Sequence, residues 1–158
     1  MSSKISIGPP QLALHQANSV LVTQPDGQIR WPSKKGFYFL DTRVISAWQI
    51  YLNGDPWELL NSGVITHYAA RIFLINPAVV TQDGKIKPQT VGLTLSRSIS
   101  GGMHEDLDIV NHGMERVCFT LEIAIRCDFA DIFEVKSGHT VRRGGPETSC
   151  ALMPHPVS

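Results

Sequence analysis

Val117 to Val135 reads VCFTLEIAIRCDFADIFEV. Val117, Phe119, Leu121, Ile123, Ile125 and Cys127 hold every second position, with Cys118, Thr120, Glu122, Ala124 and Arg126 between them. A period of two places one set of side chains on a buried face and the other on a wet or partly covered face. The stretch therefore predicts the longest strand of the chain and an all-β core. It closes on Asp128 and a second short apolar run, Ile132-Phe133-Glu134-Val135.

The same rhythm extends outward from it. Asn111-His112-Gly113 is the turn that leads in, and Met103, Leu107 and Ile109 share a face of the strand before it. Across a Gly101-Gly102 turn, Val91, Leu93, Leu95 and Ile99 alternate with Gly92, Thr94, Ser96 and Ser98. Tyr68 to Ile75 (YAARIFLI) is a further strand, stopped by Asn76-Pro77. In the dense stretch from Gly36 to Asn53, Phe37-Tyr38-Phe39-Leu40 ends at Asp41-Thr42-Arg43, and Val44, Trp48, Ile50 and Leu52 share one face. Asn53-Gly54-Asp55-Pro56 is a strong turn, from which Trp57 to Asn61 is expected to return antiparallel. Asp26-Gly27 sets a hairpin between Ser19–Thr23 and Gln28–Trp31. No stretch sustains a helical period. The pattern predicts an antiparallel β-sandwich built of meanders, incomplete at its C-terminal end. Residues 1–14 read as a flexible leader, 15–136 as the sandwich, and 137–158 as an irregular tail.

A chain of 158 residues with 42% hydrophobic content is expected to form one globular domain. Zero formal net charge gives no expectation of a nucleic-acid or membrane-surface partner. No apolar run approaches the roughly 18 residues of a spanning helix, and the N-terminus has no apolar core of the signal-peptide kind. Three cysteines, with Cys118 and Cys127 out of phase, read as reduced thiols in a cytoplasmic protein.

Four groupings could carry chemistry. His104, Asp106 and Asp108 project from one strand face, either as ligands to a divalent ion or as a solvated polar row; the second reading is preferred and no metal is expected. Asp128, Asp131 and Glu134 are an acidic cluster, either a glycosidase-type acid and base or the caps of a bend. Asp41-Thr42-Arg43 follows an aromatic run, and an arginine fork beside aromatic rings is a sugar-binding chemistry as well as a structural one. Of Trp31, Tyr38, Trp48, Tyr51 and Trp57, Trp57 is the better exposed candidate, so Trp57 and Arg43 are the candidate glucan contacts. Cys118 and Cys127 read as inert, buried thiols. No motif calls for a cofactor.

Two stretches together carry a family resemblance. Gly36 to Ser46 (GFYFLDTRVIS), followed by Leu52-Asn53-Gly54 and Asn76-Pro77, is one. Asp128 to Val135 (DFADIFEV), followed by Arg142-Arg143-Gly144, is the other. Both resemble the N-terminal domain of bacterial glycogen debranching enzyme (amylo-α-1,6-glucosidase) type proteins, over roughly residues 17–145. The resemblance implies a supersandwich-like β-sandwich that precedes a helical barrel bearing the glycosidase carboxylates. It implies no catalytic residue in this region. Gly36, Asp41, Thr42, Arg43, Asn53, Gly54, Asp131, Phe133 and Glu134 are signature positions, expected to hold the fold. The implied function is a non-catalytic module linked to α-glucan metabolism, packing on a catalytic domain or binding glucan weakly. A glycoside hydrolase in its own right and an inactive remnant stay open as alternatives. An unfilled sheet edge beside the long strand would make a homodimer the expected association.

Overall fold

The computed structural model describes residues 10–138 and the backbone of 148–151 and 155–157. Along the chain run β1 Leu12–Gln16, β2 Ser19–Thr23, β3 Gly36–Phe39, β4 Thr42–Ile45, β5 Ala47–Leu52 and β6 Asp55–Pro56. β7 Glu58–Thr66, β8 Ala69–Ile75, β9 Val79–Thr81, β10 Gly84–Ile86, β11 Val91–Ile99 and β12 Met103–Asn111 follow. Then come β13 Val117–Phe119, β14 Leu121–Arg126, β15 Ala130–Asp131, the short helix α1 Ile132–Ser137, β16 Thr148–Ala151 and β17 His155–Val157. The strands pair as three larger sheets, β1-β2-β3-β4-β15, β12-β11-β8-β7 and β16-β14-β5-β6, with β9–β10 and β13–β17 as small pairs. The fold is all-β and antiparallel, with the sheets packed as a sandwich.

The core follows from alternation. Val91, Leu93, Leu95 and Ile99 of β11 and Ala70, Ile72 and Leu74 of β8 point inward. They meet Leu14, Leu21 and Phe37 from one facing sheet and Trp48, Ile50 and Leu52 from the other, in a single apolar cluster. Each such Leu, Ile or Phe contributes about 1.5–3 kcal/mol relative to exposure. The turns behave as their residues require. Asn53 and Gly54 both take positive φ, 50° and 81°, the type I′ geometry that joins β5 to β6.

Several details differ from the reading of the sequence. The opening stretch is not one strand: it breaks at Thr120, bends after Arg126, and its last apolar run is α1 rather than a strand. A helix of six residues is too short to show a 3.6-residue period. β14 is not an edge either, because β5 and β16 flank it. The irregular tail thus contains two strands, too short to reveal alternation. β17 carries Pro156, and proline is tolerated on such an edge. Leu12 to Leu14 lie in β1, inside the span read as leader, because Leu14 anchors the core. Trp57 to Asn61 does not return along β5. Only Asp55 and Pro56 pair there, and β7 runs along β8 in another sheet. Nor does Gln28 to Trp31 return along β2: the loop closes through Gln24 N–H to Gln28 O, and Ile29 bridges to Trp48. The expected leader before Pro10, the Arg142-Arg143-Gly144 motif and the Cys150 side chain lie outside the described residues. Among the described residues no helix is long and apolar enough to cross a membrane.

Candidate functional site

The two signature stretches lie side by side. β15 pairs with β4 through Ala130↔Arg43 and Asp131↔Thr42, and Ile132 N–H donates to Asp41 O at 2.8 Å. Arg43 stands at the centre, 1% exposed. Its Nε donates to Asp128 Oδ1 and Oδ2 at 3.2 and 3.1 Å, and its Nη2 also meets Asp128 Oδ2. Its Nη1 donates to the carbonyls of Ser33 at 2.5 Å and Lys35 at 3.3 Å. A guanidinium has five N–H donors in a fixed fork, and here they tie β4 to the segment leading into β15 and to the 33–35 loop together. Asp128 Oδ1 also accepts from Ala130 N–H at 3.3 Å.

The other signature residues complete this joint. A Cβ on Gly36 would stand 2.4 Å from Ile45 O and 2.7 Å from Arg43 Cδ, so the close packing of Arg43 needs glycine there. Asp131 caps α1, its Oδ1 accepting from Phe133 N–H at 2.8 Å. Glu134 sits in the first turn of α1, where a carboxylate complements the helix dipole. Tyr38 packs under α1 with Ala130 and Val135, and its hydroxyl donates to Lys34 O at 2.5 Å. Burial pushes the Tyr38 phenol up, more than nearby Arg43 pulls it down. Asn53 serves a second junction: its N–H donates to Thr120 O and its Oδ1 accepts Thr120 N–H, at 2.9 and 2.6 Å, at the break in the opening stretch.

Both candidate glucan contacts, Arg43 and Trp57, are buried. Arg43 is buried and committed to Asp128 and the loop carbonyls, so it offers no fork to a ligand. Trp57 is 6% exposed, edge-on to Phe119 at 6.4 Å, where the chain passes from β6 in one sheet to β7 in another. Trp31 is instead the exposed tryptophan, at 44%, with the Arg126 guanidinium 3.8 Å over its ring. Two cavities flank the Arg30-Trp31 segment. One, of about 240 Å³, lies among Trp31, Ser33, Lys34, Arg43 and Val135. The other, of about 260 Å³, lies among Gln28, Arg30, Gln49, Tyr51 and Trp57.

The remaining groupings stay apart. His104, Asp106 and Asp108 line the exposed face of β12, opposite Ser98, Ser96 and Thr94 of β11. Among the described residues no cluster of three His, Cys, Asp or Glu side chains is placed to hold a metal. The acids after the long stretch are engaged structurally, Asp128 with Arg43 and Asp131 with α1. Cys118 is half-buried, but Cys127 is exposed just past β14, not buried within it. Partial burial, then the Asp128 charge, push its thiol above the usual range, which disfavours the thiolate.

Sequence reasoning missed one buried charge pair. Arg97 faces inward from β11, donating through Nε and Nη2 to Glu105 of β12, both at 3.0 Å, and through Nη1 to Gly27 O at 2.6 Å. Its guanidinium also lies 4.6 Å over the Trp48 ring. The signal was present: Arg97 shares the phase of Leu95 and Ile99, and Glu105 that of Met103 and Leu107. Burial pushes the Glu105 carboxyl up, against the opposing pull of Arg97.

A family model described as the N-terminal domain of some glycogen debranching enzymes matches residues 14–152. No curated protein matches the chain.

Proposed function

We propose a role from one premise: the chain belongs to the family of N-terminal domains of glycogen debranching enzymes. It is a non-catalytic β-sandwich module of cytoplasmic α-glucan metabolism. It packs on a glycosidase catalytic domain and touches glucan weakly. The observation that supports this reading is the signature joint itself. Asp128 is engaged by Arg43 and Asp131 by the cap of α1, and the joint carries exposed apolar side chains. Phe133 on α1 is 72% exposed, and Phe39 and Leu40 at the β3–β4 turn are exposed too. Leu40 is held at φ 54°, with its N–H donating to Asn18 O at 2.8 Å. A bulky residue fixed in the left-handed region with its side chain in water is the kind of strain that collects at functional surfaces.

The test supplies a debranching-type glycosidase domain as a separate chain and measures association by sedimentation. Binding is expected, weakened about tenfold or more by Phe133→Ser or Leu40→Ser, the effect of losing about 1.4 kcal/mol of apolar contact. Absence of binding, or binding that both variants leave unchanged, overturns the reading.

A second association is supported by β7. It forms an edge of its sheet, and Leu59, Leu60, Val64 and Ile65 on it are exposed. An exposed apolar edge strand invites pairing with another strand, and a second copy of the chain is the partner proposed here.

A further inference from the structure

Trp57 is buried, yet its indole Nε1 has no acceptor. An indole N–H can only donate, and a buried donor left unpaired is costly. Trp57 forms a wall of the cavity of about 260 Å³ at the rim of β5.

That cavity is a notch in a sheet edge. β6 covers β5 only at Tyr51↔Pro56 and Leu52↔Asp55. Further along the same edge the Ile29↔Trp48 bridge takes over. Between the two, no strand among the described residues pairs with this edge of β5, and Gln28 fills part of the gap by accepting Ile50 N–H on its Oε1 at 2.8 Å. Gln49 and Tyr51 point to the half-exposed face of β5 and border the notch. Neither side chain makes a hydrogen bond among the described residues. The one charged group of the lining, Arg30, is matched by Asp26 at 2.8 Å and also meets Gln24.

The lining thus offers an amide, a phenol and two aromatic rings without an unmatched charge. It suits a neutral ligand rich in hydroxyls. Its volume lies just under the roughly 300–1,000 Å³ of drug-sized pockets, which fits one sugar ring better than a chain of them. We propose that this notch binds a single glucosyl unit of an α-glucan. Gln49 and Tyr51 are the hydrogen-bonding contacts, and the buried Trp57 side chain closes the wall behind them. The proposal rests on the glucan contact of the proposed function and gives it a place. Trp57 thereby acts from within the wall rather than as an exposed platform.

The test is affinity electrophoresis of the full chain in gels containing glycogen. Gln49→Ala and Tyr51→Phe are compared with Trp31→Phe, and all are checked for a cooperative melt. Retardation of the wild type is expected, weakened about fivefold by each notch variant through loss of one hydrogen bond and unchanged by Trp31→Phe. Retardation that both notch variants preserve, or that depends on Trp31 instead, overturns the site while leaving glucan binding in place. A wild type that migrates unretarded overturns both. Tyr51→Phe removes one oxygen from a half-exposed residue, so it remains informative if Gln49→Ala fails to fold.

Discussion

Arg43 and Asp128, 85 positions apart, meet in a forked ion pair that joins the two signature stretches across neighbouring strands. Their side chains are 2% and 11% exposed, so the pair is largely desolvated. Such a pair adds little net stability over an apolar substitute, but removing one partner strands a buried charge.

Arg43→Ala should therefore destabilise the fold by about 3–5 kcal/mol, read as a shift of the urea midpoint. Arg43→Lys should recover only part of this. An ammonium has three donors and no planar fork, so it cannot serve Asp128 and two loop carbonyls together. A full rescue by lysine would count against the fork.

Gly36→Ala should also destabilise, by about 1–3 kcal/mol, because the added methyl meets the Ile45 carbonyl at 2.4 Å. Gly54→Ala is the control. Gly54 has open space around it, so only the backbone strain of its positive φ is felt. Equal losses at the two positions would show that Arg43 packing does not depend on Gly36.

Much of this fold was legible, and the failures have physical causes. Alternation located β11 and β12 because each turns one face to the core, and β14 although Ile125, in phase with Leu121, is exposed. It overran at Thr120, where Asn53 replaces a strand partner, a long-range contact that no local period encodes. The signature residues could be named from resemblance, but not the Arg43–Asp128 pair, which depends on how β4 and β15 align. Trp57 was misplaced because a tryptophan after a proline turn looks exposed until the crossing between sheets is known. Trp31 went unchosen for the converse reason: nothing local marks it as the ring left in water. The notch exists only because β6 is two residues long, a matter of tertiary arrangement.

Glu105 should make stability depend on pH. Its folded pKa is raised from the ordinary 4.5, so the folded state holds the proton more tightly than the unfolded one. Its contribution is complete below pH 4.5 and is lost as pH rises through the folded value. Glu105→Gln mimics the uncharged side chain and removes this titration. The melting temperature of the variant relative to the wild type should rise as pH increases through that window. A difference that stays flat, or falls, would contradict the assignment.

The β7 edge predicts self-association that grows with protein concentration. Leu60→Lys with Ile65→Lys should return the chain to a monomer in sedimentation experiments, since charges on an edge strand block pairing. A wild type that stays monomeric at all concentrations would remove the proposed homodimer.

The central claim is that the acids of the signature hold structure and perform no hydrolysis. Incubating the purified chain with a branched α-glucan and with a small α-glucoside, and following glucose release, tests this most directly. No turnover is predicted for the wild type. Turnover that disappears in Asp131→Asn, while that variant still melts cooperatively, would contradict the account.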